Sequence, residues 1–262
     1  MDIFPLRYPG SHLDGLVPNQ AHQVQSLLYV LESHIGDAAI GLALFLESRV
    51  RRPPQRDPIA EAPWEARRRQ LEHQAEGALP GNLSAQDRWI AHARIRDEVA
   101  QRLTLERAEA GQLPRSYAHR LPFIHAHTVV YALDGVGKTL GVLARESYLP
   151  RTVDQAHVNY QARLPGLTPV RDSAHHLEDR GRGLGKGGKQ LQLQPITTGA
   201  IHAPGGGVLV LDSLENDDLC FTGSDGAYHR VEISATSVRI AQEGVQQVLD
   251  VLPWQGPPRS VP

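Results

Sequence analysis

From Leu16 to Val50 apolar residues recur at helical spacing through Val24, Leu27, Leu28, Leu31, Ile35, Ala39, Leu42 and Leu46, which predicts one long helix with a buried face. The segment Arg51-Arg52-Pro53-Pro54-Gln55-Arg56-Asp57-Pro58 then combines charge with prolines that cannot continue a helix, and reads as a loop. A second helical region, about Trp64 to Ala110, is expected to break near Leu79-Pro80-Gly81-Asn82, with Ser84 capping the restart and Gly111 and Pro114 ending it.

A third stripe, Ile124, Val129, Val130, Leu133, Val136, Leu140 and Leu143, predicts a helix within Leu121 to Leu149, although Gly135, Gly137 and Gly141 weaken its propensity. Two shorter helices are expected at about Val153 to Leu164 and Thr168 to Arg180, separated by Pro165-Gly166. Gly181 to Gly188 is too rich in glycine for a helix and reads as a flexible basic loop carrying Arg182, Lys186 and, at its edge, Lys189.

Beyond that loop the period changes from helical to extended. Gln190 to Ile196 alternates, Gly207 to Leu211 is a β-favouring run, and Leu219 to Thr222 leads through Ser224-Asp225-Gly226 into Tyr228 to Ile233. Three or four antiparallel strands follow from this, then a helix capped by Ser234 and running to about Leu252. The expected fold is mainly α, a helical bundle with a C-terminal antiparallel β-meander and terminal helix, α+β overall. Its divisions are a bundle over residues 1–182, a loop at 183–189, meander plus helix at 190–252 and a proline-rich tail at 253–262.

The 262 residues suffice for a sizeable core without staples. Cys220 is the single cysteine, which excludes an intrachain disulfide and a multi-cysteine zinc site and fits a reducing, cytoplasmic setting. The N-terminus lacks the basic-then-apolar pattern of a secretory leader. The longest apolar stretch, Ala38 to Leu46, is roughly half of the ~20 residues a membrane-spanning helix needs, so no membrane partner is expected. A net charge of −2 gives no global case for coating nucleic acid, and any such contact must come from a local patch.

Ala132-Leu133-Asp134-Gly135-Val136-Gly137-Lys138-Thr139 satisfies the permissive form of a phosphate-binding loop, and Val208-Leu209-Val210-Leu211-Asp212 imitates a magnesium-holding strand. Such a loop needs a strand, a turn and a helix N-terminus, whereas here helical spacing runs straight across the motif. Gly135 and Gly137 therefore read as close-packing positions, Lys138 as a solvated helix lysine and Asp212 as the end of a hairpin strand. Thr222-Gly223-Ser224-Asp225-Gly226 departs by one position from a nucleophile elbow and reads as a hairpin turn.

The segment Val170-Arg171-Asp172-Ser173-Ala174-His175-His176-Leu177-Glu178-Asp179-Arg180 carries the candidate chemistry. Arg171 and His175 are one helical turn apart and His176 about a hundred degrees further round, with Glu178 and Asp179 placed to hold either ring. Arginine stabilises phosphate charge and histidine moves a proton near neutral pH, the two functions of metal-independent RNA cleavage. The same residues also fit a structural reading, Arg171 as an ion-pair partner and the histidines as half-buried polar groups.

This segment resembles the signature of HEPN-domain proteins, in which an arginine, commonly followed by a polar residue, precedes a histidine with four to six residues intervening. Arg171, Asp172 and His176 match with four intervening. The resemblance implies a helical bundle over roughly residues 16 to 182 and a ribonuclease site composed across a homodimer, with RNA as partner. In it His176 is general acid or base, Arg171 stabilises phosphate, and His175 or Asp172 orients the pair. Arg182, Lys186 and Lys189 would bind substrate. The alternatives are a noncatalytic helical interaction protein and a P-loop nucleotide triphosphatase. His125 and His127, two apart, point to different faces of a helix, and the remaining histidines are scattered, so neither metal nor cofactor is expected.

Overall fold

The computed structural model describes residues 2–50 and 58–262, so the loop read at 51–58 lies, except for Pro58, outside the described residues. In chain order the elements are β1 (Leu6–Tyr8), β2 (His12–Leu13), α1 (Pro18–Val50), α2 (Pro58–Gly77), α3 (Ala85–Glu109), α4 (Arg115–Ala118), α5 (Leu121–Ala144), α6 (Thr152–Arg163), α7 (Leu167–His175) and α8 (Leu177–Gly181). There follow β3 (Ile196–Thr197), β4 (His202–Ala203), β5 (Ser213–Glu215), β6 (Asp218–Thr222), β7 (Tyr228–Glu232), α9 (Ala235–Val251), β8 (Trp254–Gln255) and β9 (Arg259–Val261). The chain is mainly helical with a small antiparallel strand region near its C-terminal end.

It divides into two compact units, Met1–Glu47 joined with Pro122–Pro262, and Ser48–Leu121. The expected boundary at residues 182–190 is not where the fold divides. Leu31, Ile35 and Leu42 of α1, Val129, Leu133 and Leu140 of α5, Leu219 and Phe221 of β6 and Val238, Val245 and Leu249 of α9 share one core, so the meander belongs to the same unit as the long helices. A sheet with one apolar face must bury it against another element, and here the helices of the first unit supply that element.

Glycines set the close approaches inside this unit. A Cβ at Gly135 would stand 2.5 Å from the His34 ring, and one at Gly137 would stand 2.9 Å from Tyr160, whose hydroxyl donates to the Leu133 carbonyl at 2.7 Å. α1 is long and apolar enough, by length and composition, to cross a membrane, because it is an unbroken helix of 33 residues that extends well beyond the short apolar stretch read from the sequence. Nine of its residues, from Val24 to Phe45, are buried within the protein.

β5, β6 and β7 form the antiparallel meander, with Leu219 opposite both Leu214 and Val231. Gly223 to Gly226 closes the β6–β7 hairpin as expected, and Ser234 caps α9 by accepting from the Ser237 amide. The run Gly207–Leu211, however, is not a strand. Positive φ at Gly206, Gly207 and Asp212 turns the chain at both ends, leaving Val210 to bond the Thr222 backbone and hydroxyl alone. Of Gln190–Ile196 only Ile196 enters a strand. The tail at 253–262 is structured too: β8 pairs with β2 and β9 with β1, antiparallel.

In the second unit α2 and α3 pack through Leu71, Ile95, Val99 and Leu103, with Trp64, Ala75 and Leu79 against them. Ser84 caps α3 through the Asp87 amide, as its sequence position predicts. Arg67 grips Glu106 by two bonds of 2.9 and 3.0 Å, Arg102 reaches the same carboxylate, and Arg107 joins Glu61 while stacking over Trp64.

Candidate functional site

The helix expected over residues 168–180 breaks at His176, whose φ of −112° and ψ of 43° end α7. The His176 amide closes α7 on the Asp172 carbonyl, and its own carbonyl accepts from the amides of Asp179 and Arg180, starting α8. Arg171 and His175 thus lie one turn apart on α7 as expected, whereas His176 stands at the corner where the expected continuous helix breaks.

Arg171 points toward α5. Its Nε is 3.0 Å from Asp134 Oδ2 and its Nη1 is 2.7 Å from Asp172 Oδ1, with the side chain 18% exposed. The Nε contact is an ion pair without hydrogen-bond geometry, for Nε is buried and has no hydrogen-bond partner. Asp134 is also reached by Lys138 at 2.8 Å from one turn further along α5.

His176 faces outward, 51% exposed, with Nδ1 3.8 Å from Glu178 Oε1. The ring of His175 meets it edge-on at 5.1 Å between centroids. Asp179, expected near the imidazoles, binds Arg182 at 2.5 Å. His176, Glu178 and Asp179 each present one ligand atom within 4.8 Å of the others, as an acidic surface group in which Asp179 is already engaged by Arg182. Lys186 and Lys189 are exposed on the following loop.

α5 contributes a face that the sequence reading did not assemble, although it considered His127 and Lys138 singly. His127, Tyr131, Asp134 and Lys138 stand at i, i+4, i+7 and i+11, one face of one helix. His127 Nε2 lies 2.7 Å from Asp212 Oδ1, and its ring packs edge-on against Phe221. Asp212, with φ of 46°, forms the corner before β5 and does not end a strand. Burial is the main cause that raises the Tyr131 phenol above its ordinary pKa; Arg171 opposes it while Asp134 and Asp212 add to it, which places all three charges around one phenol. The signal was present as four polar residues at helical spacing in an apolar helix.

α5 runs unbroken through Gly135-Val136-Gly137-Lys138-Thr139, so those amides are spent on helical hydrogen bonds and Thr139 is buried. Helix, not strand, leads into the motif, and no strand forms at 208–211, so the geometry of a P-loop is not met there.

Comparison with protein-family models, curated proteins and solved structures finds no match to the chain.

Proposed function

We propose that this chain binds and cleaves RNA without a metal at the corner between α7 and α8. The observation that carries the reading is the pairing of a fixed cation with an outward imidazole five residues on. Arg171 is clamped by Asp134 and Asp172, and His176 stands half in solvent at the helix break. A clamped guanidinium costs little further ordering when it meets phosphate charge, and a solvent-facing imidazole can exchange protons near neutral pH. In the reaction the 2′-hydroxyl attacks the adjacent phosphorus, the 5′-oxygen leaves, and His176 takes or returns the proton. His175 holds the ring of His176 edge-on, and Asp172 orients Arg171. The HEPN resemblance adds a homodimer across which the site is composed, which sedimentation measures.

The test is cleavage of an oligoribonucleotide in excess chelator. Proton transfer by a positioned group contributes about 10²–10⁴-fold, so His176→Ala lowers the rate at least about a hundredfold, and Arg171→Ala does comparable damage. Replacing the 2′-hydroxyl by hydrogen at the cleaved position abolishes the reaction. Equal cleavage by both folded variants refutes the assignment.

A second reading, a noncatalytic helical interaction protein, is favoured by one observation: two carboxylates already neutralise Arg171. It takes over when the folded protein cuts no RNA and Arg171→Ala alters only stability.

A further inference from the structure

We propose that the glycine-rich segment after α8 is a cradle for the phosphate backbone of single-stranded RNA, held in shape from beneath by Arg180. The inference rests on the RNA reading above for the identity of the polyanion, and deepens it by assigning what the loop recognises and what positions it.

Arg180 is 3% exposed. Its Nε donates to Ser173 Oγ at 3.3 Å and its Nη1 to the Leu184 carbonyl, while Ser173 in turn donates to the Thr222 carbonyl at 2.9 Å. Among the described residues no carboxylate pairs with it, so a buried guanidinium is met only by neutral oxygens. A buried charge without a counter-charge is costly, and it leaves a positive potential at the surface above it.

That surface is the loop. Arg182, Lys186 and Lys189 are all exposed there, and two of the three lysines in the whole chain are among them. From Arg180 through Leu211 the sequence holds no aspartate or glutamate; of the two carboxylates just before it, Glu178 and Asp179, the second is bound to Arg182.

The loop is also ordered on one side and open on the other. Leu184, Gly185 and Leu191 donate their amides to Asp179, Lys189 and Gly183 respectively, and Gly185 packs against the Ser224 carbonyl. Gly187 and Gly188, with φ of 68° and 73°, have open space where a Cβ would stand, so backbone as well as lysine is approachable there. Residues 180–189 include no aromatic side chain on which a base could stack. The loop therefore reads phosphate and is indifferent to base. Arg180 is a positioning residue, since it touches the loop carbonyl and not the ligand.

The experiment is fluorescence anisotropy with a labelled 2′-O-methyl oligonucleotide, which binds but cannot be cut, using the full chain over a range of salt. Each phosphate neutralised on a single strand contributes about −0.7 to the slope of log K against log salt, so Arg182→Ala/Lys186→Ala/Lys189→Ala flattens the slope by about 2 and weakens binding at low salt at least about tenfold. Oligo-U and oligo-A bind alike. Arg180→Gln weakens binding with the slope unchanged and Arg180→Lys recovers most of it, both remaining folded by circular dichroism. An unaltered slope in the triple variant, or no binding by the native chain at low salt, overturns the cradle. Wild-type affinity in Arg180→Gln overturns its positioning role. Loop-dependent binding without any cleavage sinks the ribonuclease reading and leaves the cradle standing. Cleavage with unchanged KM in the triple variant does the reverse.

Discussion

The carboxylate of Asp134 answers two cations, Arg171 at 3.0 Å and Lys138 at 2.8 Å, and only the first is largely withdrawn from water. Removing one partner of a buried ion pair strands the other charge, at about 3–5 kcal/mol for full burial. With Arg171 still 18% exposed, Asp134→Ala is expected to cost roughly 2–3 kcal/mol in chemical denaturation. Lys138 is 61% exposed, so Lys138→Ala changes stability by less than about 1 kcal/mol. Equal effects from the two variants would contradict this division. Arg171 and His176 could be selected from the sequence because spacing along one segment is visible there. Asp134 as the clamp and Asp212 as the partner of His127 could not, since each pair joins residues that only the folded core brings together.

At the scale of elements, the long helices were legible because their apolar spacing repeats over many turns, and capping by Ser84 and Ser234 fixed two of their starts. The strands were less so. β1, β2, β8 and β9 are two or three residues long, too short for alternation to register, and they pair across nearly the whole chain. Where a hairpin turn left a signature, it is tight. Gly226 has φ of 79°, and a Cβ there would fall 2.0 Å from the Gln192 carbonyl oxygen, so Gly226→Ala combines strain with overpacking. A loss of about 1–3 kcal/mol is expected, read as a lowered melting temperature. Two helix residues set a pH dependence of their own. Burial lowers the pKa of His125 against the opposing charge of Glu47, and burial lowers that of His157, with Asp154 opposing and Arg145 adding. Both favour the neutral ring in the fold, so their contribution is complete above about pH 6.5 and is lost as pH falls through the lower folded values. The melting temperature should therefore decline from pH 7 to 5.5, and a His125→Gln/His157→Gln double variant should flatten that decline. A slope unchanged by the pair of substitutions would refute the assignment.

The two units of the molecule differ in what holds them. The first has a continuous core drawn from both ends of the chain, whereas among the described residues four buried ones, Leu71, Ile95, Val99 and Leu103, make the core of the second. Amides of α2 and α3 should accordingly exchange with solvent before those of α5 and α9, and the reverse order would contradict this account. Their acid responses should differ as well. Hydrogen bonds from Arg67, then Arg102, hold the Glu106 carboxyl down at about 2, so the support it gives the second unit persists above its unfolded value and is lost only as pH falls toward 2.

The pairing of β1 with β9 has a consequence for how the protein is made. Leu6 cannot meet Val261, nor Gln246 hold the backbone of Arg7, until the codons for those later residues have been read. The second unit is a single contiguous stretch, Ser48–Leu121, and can close as soon as it clears the ribosome. The helix that precedes it must wait, its apolar face uncovered, until α5 and then α9 emerge. During synthesis α1 is thus the segment most in need of a chaperone, and a nascent chain stalled before residue 235 should be captured by one far more readily than the released protein.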